Sequence, residues 1–180
     1  MVNFIVSAVS LLAAAQFASA VPAEYEVRSV ATPTFSFESW ADSVAKDPEG
    51  SHPIPDGVLS VRFAGREKSK LGKRGVVCNT VKNTFASVQD SVACINFLAS
   101  KSQKMCSVAA GGSSSFCKIG LSEIVGVSGK PPSEGGTSSK CGDVARAAGR
   151  IMDVCTRGNT VQGENTAFGN GFLAVHIRRP

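Results

Sequence analysis

All six cysteines of this chain lie between Cys78 and Cys155, and none precedes the dibasic pair Lys73-Arg74. A Lys-Arg pair directly before a cysteine-rich segment is typical of a kexin-type processing site, where an acidic pocket of the protease binds both cations. The alternative is an ordinary solvated charged stretch. Because the composition changes at the same point, we predict a pro-segment over residues 21–74 and a mature domain over residues 75–180.

The first twenty residues have the pattern of a secretory signal peptide. Residues 4–15 are apolar and uncharged, and small residues stand at Ala18 and Ala20. This pattern predicts cleavage after Ala20, so that residues 1–20 are removed. The alternative is a retained membrane span, but the apolar stretch is short for one. We therefore expect the protein to be secreted and extracellular.

The charge divides at the same boundary. The 19 Lys and Arg and 14 Asp and Glu fall as 8 and 8 in residues 21–74 and as 11 and 6 in residues 75–180, so the net charge of +5 belongs to the mature domain. A domain of 106 residues gains from covalent cross-links, and six cysteines in an oxidising compartment indicate three disulfides. Zinc is the alternative, but there is no Cys-x-x-Cys pair and the mature domain has one histidine, His176. We expect no metal and no cofactor.

The pro-segment contains a short amphipathic stretch. It begins at Phe35-Ser36-Phe37 and continues to about Ala45, after which Pro48, Pro53 and Pro55 interrupt it. Two interpretations are open. The stretch either shields an apolar face of the mature domain until cleavage or is a spacer with no binding role.

Two helices are predicted in the mature domain. The first has apolar residues at steps of three and four, which form one stripe: Val81, Phe85, Val88, Val92, Ile95 and Ala99. The second runs from about Asp143 to Cys155. Its Gly149 lowers the helix propensity, which indicates close approach to another element.

Strands are predicted on both sides of the second helix. An alternating run extends from Phe116 to Val127, residues 128–140 read as a long loop, and the closing segment 172–178 alternates so that His176 points outward. Val76-Val77 and Thr160-Val161 are weaker candidates. This order predicts an α+β fold, a two-layer sandwich of two helices on a small antiparallel sheet stapled by disulfides.

The whole pattern resembles the killer-toxin-like secreted proteins of fungi, the family of corn smut killer protein 4. The segments that carry the resemblance are Gly75-Val76-Val77-Cys78, Ala93-Cys94, Phe116-Cys117-Lys118-Ile119-Gly120, Lys140-Cys141 and the tail over residues 158–177 with its Gly169-Asn170-Gly171 turn. Necrosis effectors of the extracellular-protein-two type are a neighbouring possibility, since they share a similar closing segment.

The resemblance implies a disulfide pairing, which the sequence alone leaves open. The implied bonds are Cys78–Cys155, Cys94–Cys141 and Cys106–Cys117. A Cys94–Cys117 or a Cys106–Cys155 bond would exclude the toxin-like topology.

The chain departs from the killer toxin in two ways. It has fewer cysteines, and Ser115 stands where the toxin has its functionally implicated lysine. Lys118, on the other side of Cys117, replaces that lysine in charge only. Calcium-channel inhibition is therefore the property that the resemblance implies least directly.

Catalysis has little support in the sequence. There is no Gly-x-Ser-x-Gly nucleophile motif, and the glycine-rich segment 111–115 leads into a predicted strand, whereas phosphate-binding loops lead into helices. Glu123, Asp143 and Glu164 are candidate paired carboxylates, but six acids allow many accidental pairs. We predict that the protein is not an enzyme.

The excess of basic over acidic residues favours a binding protein. Six basic residues are candidates to meet an anionic target-cell surface, a membrane channel or a cell wall: Lys118, Arg146, Arg150, Arg157, Arg178 and Arg179. Of these, Lys118, Arg178 and Arg179 are the predicted binding residues, although ordinary solubilising charge is the alternative. Nucleic acid is disfavoured because the only Trp and Tyr, Trp40 and Tyr25, lie in the pro-segment. We predict a small secreted fungal effector or antagonistic toxin, with a cell-wall or glycan-binding module as the alternative.

Overall fold

The structure is a computed structural model that describes residues 35–55, 57–60 and 75–180. The described residues belong to one compact unit, residues 33–180. Ala20 and the Lys73-Arg74 pair lie outside them. Within the described ranges, no helix is long and apolar enough to cross a membrane.

The described residues form three α-helices and two short 3₁₀ turns. Helix α1 spans Phe37–Lys46, α2 spans Val88–Ser100 and α3 spans Cys141–Cys155, and the turns are Val58–Ser60 and Pro132–Glu134. The amphipathic stretch that begins at Phe35 therefore contains a helix.

Helix α2 begins later than its apolar stripe predicts. The Ser87 side chain accepts a 3.4 Å hydrogen bond from the backbone N–H of Asp90, which caps the helix immediately before Val88. Asn83 has a φ of 60°, in the left-handed region that a helix does not continue through. The extension of the helix to Val81 and Phe85 was therefore wrong, and both side chains are exposed ahead of it.

The strands of the described residues form one five-stranded antiparallel sheet and two small two-stranded ones. The large sheet has the order β1-β8-β9-β5-β4, and the small sheets pair β2 with β7 and β3 with β6. The strands are β1 Val77–Cys78, β2 Ala86–Ser87, β3 Met105–Val108, β4 Ser113–Ile119, β5 Ser122–Ser128, β6 Thr137–Lys140, β7 Thr160–Val161, β8 Gly163–Thr166 and β9 Leu173–Arg178.

The predicted α+β class is confirmed. The inward side chains of β9, Leu173, Val175 and Ile177, are fully buried. Helix α3 contacts β8 and β9, and α2 contacts β4 and β5, so the two helices cover one face of the large sheet. Helix α1 contacts α3 and α2 and adds a third element to the helical layer. The alternating run that begins at Phe116 is two strands, because the backbone turns at Gly120, whose φ is 50°.

All six cysteines are in disulfides, as predicted, but two of the three implied pairings were wrong. The Cys78–Cys155 bond is confirmed, whereas the other two bonds are Cys94–Cys117 and Cys106–Cys141. The Cys94–Cys117 bond excludes the toxin-like disulfide topology. Each bond contributes about 2–4 kcal/mol to stability.

The pairing of β3 with β6 explains the difference. Residues 137–140 were predicted to be part of a loop, but they form β6, in which Ser139 lies opposite Cys106. Since Cys141 follows this strand directly, its Cα lies 5.1 Å from that of Cys106. The pairing leaves Cys117, on the buried side of β4, to bond with Cys94 of α2, at a Cα separation of 5.6 Å.

Candidate functional site

The outer face of the large sheet, opposite α2 and α3, carries two of the three predicted binding residues. Lys118 of β4 lies opposite Glu123 of β5, and Glu123 lies opposite Arg178 of β9. Residues directly opposite each other in antiparallel strands share a face, so the three side chains form one row across three strands. We call it the Lys118–Glu123–Arg178 row.

Only one of the two cations in this row has an ion-pair partner among the described residues. Arg178 Nε lies 3.5 Å from Glu123 Oε2, and the Glu123 side chain is only 15% exposed. Lys118 is exposed and makes no ion pair with a described residue. The row holds two cations and one carboxylate, so its net charge is +1.

Arg179, the third predicted residue, does not belong to the row. It lies beyond the end of β9, and its backbone N–H donates a 2.8 Å hydrogen bond to the carbonyl oxygen of Thr84. Its side chain is exposed. The structure thus places Lys118 and Arg178 in one row, and Arg179 follows the strand that ends at Arg178.

A second row on the same face contains His176. It lies opposite Glu164 of β8 and Val125 of β5, and its Nδ1 is 3.7 Å from Glu164 Oε2. Burial lowers the pKa of His176, the Glu164 carboxylate acts in the opposite direction, and the nearby Arg178 lowers the pKa further. The outward orientation predicted for His176 is confirmed.

The two rows place two carboxylates on opposite sides of β9. Glu123 is paired with Arg178 and Glu164 with His176, so each acid has a basic neighbour on the adjacent strand. Such cross-strand pairs stabilise a sheet by about 0.2–1 kcal/mol each. Sequence reasoning missed this grouping, because alternation gives the face of each residue but not which residues of different strands become neighbours.

A shallow hollow adjoins Lys118 at the edge of the sheet. It has a volume of about 290 Å³ and is lined by Phe97 of α2 and by residues 115–119 of β4. Phe97 is 40% exposed, and Lys101 Nζ lies 3.7 Å from the centre of its ring. An aromatic surface beside positive charge suits a ligand with both apolar and anionic groups.

Comparison with known proteins identifies a family for the domain. A family model described as "Domain of unknown function (DUF8794)" matches residues 73–179. No curated protein and no solved structure matches the chain. The matched segment contains α2, α3, the large sheet and all three disulfides, and α1 lies outside it.

Proposed function

This chain belongs to the family described as a domain of unknown function (DUF8794), and we propose that it is a small secreted fungal effector or antagonistic toxin. In this proposal it acts by binding an anionic component of the target-cell surface, with a membrane channel as one such target. The observation that carries the proposal is Lys118, which is exposed and makes no ion pair with a described residue, in a row that also holds Arg178. The resemblance to killer-toxin-like proteins adds support at the level of sequence pattern but not of disulfide topology.

The charge and cross-links of residues 75–180 are consistent with this role. This part carries the whole net charge of +5, which speeds encounter with an anionic surface. Its three disulfides are of the kind that persists in oxidising compartments. Binding at the Lys118–Glu123–Arg178 row needs no catalytic group.

Charge variants of opposite sign test the proposal. Labelled secreted protein is incubated with fungal cells and with leaf cells, and the retained fraction is measured at increasing salt. Lys118→Gln is expected to reduce retention, whereas Glu123→Gln is expected to increase it because Arg178 loses its partner. The controls are Lys104→Gln and Glu134→Gln, which make the same charge changes at exposed positions outside the row. Retention of Lys118→Gln equal to that of Lys104→Gln, and of Glu123→Gln equal to that of Glu134→Gln, would count against the row.

The target class is tested by activity. Purified secreted protein is applied to fungal cultures and infiltrated into leaves, and growth inhibition or necrosis is scored with and without added calcium. Relief by calcium would favour a channel target. Inactivity in both assays, together with loss of salt-dependent retention, would contradict the effector proposal.

Processing is tested by mass. We expect the form in culture filtrate to begin at Gly75 and to absorb very little at 280 nm, because Trp40 and Tyr25 are the only residues of their types. A stable form that begins near Val21 would contradict cleavage after Lys73-Arg74.

The hollow beside Phe97 favours a second candidate, a cell-wall or glycan-binding module. Its exposed aromatic ring and neighbouring Lys118 offer a small platform for a polysaccharide. Pull-down on chitin and glucan, with Phe97→Ala as the variant, separates the two proposals. Retention on polysaccharide that Phe97→Ala abolishes, without toxicity, would favour the module.

A further inference from the structure

Helix α1 occupies one face of α3 with an apolar stripe of its own. Phe37, Trp40, Ala41 and Val44, spaced as i, i+3, i+4 and i+7, are all buried. The Trp40 indole N–H also donates a 2.9 Å hydrogen bond to the carbonyl oxygen of His52, which holds the following segment beside the helix. These residues precede the predicted processing site, yet they pack like part of the domain core.

The face of α3 is shaped for a closely approaching helix. A Cβ atom on Gly149 would lie 2.5 Å from the carbonyl oxygen of Phe37, and one on Gly142 would lie 3.4 Å from the Ala45 Cβ. The two glycines are two turns apart on α3, one beneath each end of α1. The close approach predicted for Gly149 is confirmed, and the element that approaches is α1.

Asp153 of α3 binds the first turn of α1. Its carboxylate accepts hydrogen bonds from the Ser36 hydroxyl at 2.8 Å, the Phe37 N–H at 2.7 Å and the Glu38 N–H at 3.1 Å. Free N–H groups and the positive end of the helix dipole make the start of a helix a natural partner for a carboxylate. Asp153 is thus an N-terminal cap supplied by another helix.

Arg146 supplies the opposite charge, about two helical turns from Asp153 on α3. Its Nε lies 3.3 Å from Asp42 Oδ1 and its Nη2 lies 4.0 Å from Glu38 Oε1, while its guanidinium lies 4.1 Å from the centre of the Phe168 ring. Phe168 lies between β8 and β9, and its ring contact helps to hold the guanidinium in place. We call the α3 surface formed by Gly142, Arg146, Gly149 and Asp153 the helix-binding face.

No covalent bond would hold α1 there after processing. All six cysteines follow residue 74, and α1 lies outside the residues that the family model matches. We propose that α1 is a removable cover and that, in the processed protein, the helix-binding face receives an amphipathic helix of a target protein. The inference rests on the proposed secretion and on cleavage at Lys73-Arg74.

The contacts of α1 define the partner that this face fits. The partner helix carries bulky apolar residues at i, i+3 and i+7, a small residue at i+4 and acidic residues at i+1 and i+5, as α1 does at Phe37, Trp40, Val44, Ala41, Glu38 and Asp42. Its first turn lies at Asp153 and its acids lie at Arg146. Recognition of a helix by a complementary groove through such spacing is a common binding mode.

Release of α1 can be followed by the fluorescence of Trp40, the only tryptophan. The intact proprotein, residues 21–180, is expected to show blue-shifted emission at every concentration because Trp40 is 8% exposed. After treatment with a kexin-type protease, the emission is expected to shift to the red on dilution. Emission that stays blue and independent of concentration after complete cleavage would show that α1 is a permanent part of the domain and would overturn the proposal.

The Gly149→Ala variant tests whether α1 is a removable cover or part of the domain core. Alanine raises the helix propensity of α3, but its methyl group collides with the Phe37 backbone. We expect the processed variant to be at least as heat-stable as the processed wild type, and to bind a labelled synthetic peptide of residues 35–60 at least ten-fold more weakly. Unchanged peptide binding would overturn the helix-binding face.

Asp153→Ala is expected to weaken peptide binding about ten-fold through loss of the cap, and Glu134→Ala is the matched control. Peptide variants avoid any effect on folding of the domain. Phe37→Ala in the peptide is expected to lower affinity at least fifty-fold, and Glu49→Gln is expected to have no effect.

The partner chemistry is tested with a designed helical peptide of unrelated sequence that carries the same spacing of apolar and acidic residues. We expect it to displace the labelled peptide, and a version with the apolar residues moved by one position should not. If the designed peptide with the correct spacing does not displace the labelled peptide, the helix-binding face is specific for α1 alone. That result would overturn the target-helix proposal. These assays use no cells, so they can fail while the retention tests of Lys118 succeed, and the reverse.

Discussion

The two faces of residues 75–180 differ in how they are made. The helix-binding face of α3 combines small residues with one acid and one base and is covered by a segment from beyond the family domain. The outer sheet face carries acids and bases that pair with each other across neighbouring strands. The first face therefore gains most of its stabilisation from apolar contact with one segment, and the second from local charge pairs. Substitutions should have large, processing-dependent effects on the first and small, processing-independent effects on the second.

The largest expected effect is that of Phe37→Ala in the proprotein. Phe37 is fully buried and packs edge-on against Phe35 and Trp40. Its truncation should lower the free energy of unfolding by about 3–5 kcal/mol. Denaturant unfolding of the wild-type and variant proproteins measures the loss, and the two proteins should become identical after processing. A proprotein of unchanged stability would show that α1 contributes little to the helical layer.

The sequence predicted the secondary-structure elements of both faces better than it predicted which elements contact each other. The apolar periodicity of α3 and the alternation of β9 each carry a strong local signal, and both elements lie where they were expected. Gly149 also indicated a close approach, but the sequence around it did not indicate that α1 is the helix that approaches. The start of α1 gave no signal for Asp153, because residues more than a hundred positions apart meet there.

The wrong disulfide pairings and the missed polar row also depend on contacts between elements that are distant in the sequence. Strand β6 has the sequence Thr-Ser-Ser-Lys, whose polar side chains hide the alternation by which a strand is usually recognised. Without β6, its pairing with β3 and the Cys106–Cys141 bond could not be predicted. Likewise, the polar row on the outer sheet face depends on the register of β4, β5 and β9, which alternation leaves undetermined.

The Cys94–Cys117 bond connects the helical layer to the edge strand of the sheet, so its removal should affect both faces. Cys94→Ala with Cys117→Ala is expected to lower the free energy of unfolding by about 2–4 kcal/mol before and after processing. Chemical unfolding of both forms measures this. An effect confined to the proprotein would mean that the bond serves the α1 contact and not the sandwich itself.

On the outer sheet face, Arg178→Gln should cost at most about 1 kcal/mol, because it removes one cross-strand pair and leaves Glu123 without its partner. The change should be the same in the proprotein and in the processed protein. Lys118→Gln, which removes a cation without an ion-pair partner among the described residues, is the control and should leave stability nearly unchanged. A loss from Arg178→Gln as large as that from Phe37→Ala would contradict the distinction between the two faces.

The smallest expected effect is a dependence of stability on pH through His176. Its pKa is lowered in the folded protein, chiefly by burial, from an ordinary value of 6.5. Between the folded pKa and 6.5 the unfolded chain binds more protons than the folded protein, so stability falls as the pH falls through this window and is fully present above it. His176→Gln should remove this part of the dependence. Denaturant unfolding of both proteins at pH 7.5 and at pH values stepped down from 6.5 measures the contribution of His176 to the pH dependence. The other titrating groups, including Asp153 with its raised pKa, are common to both proteins, so their contributions cancel in the comparison. If the wild type gained stability relative to His176→Gln on acidification, the Glu164 carboxylate would outweigh burial, and the second row would be a true ion pair.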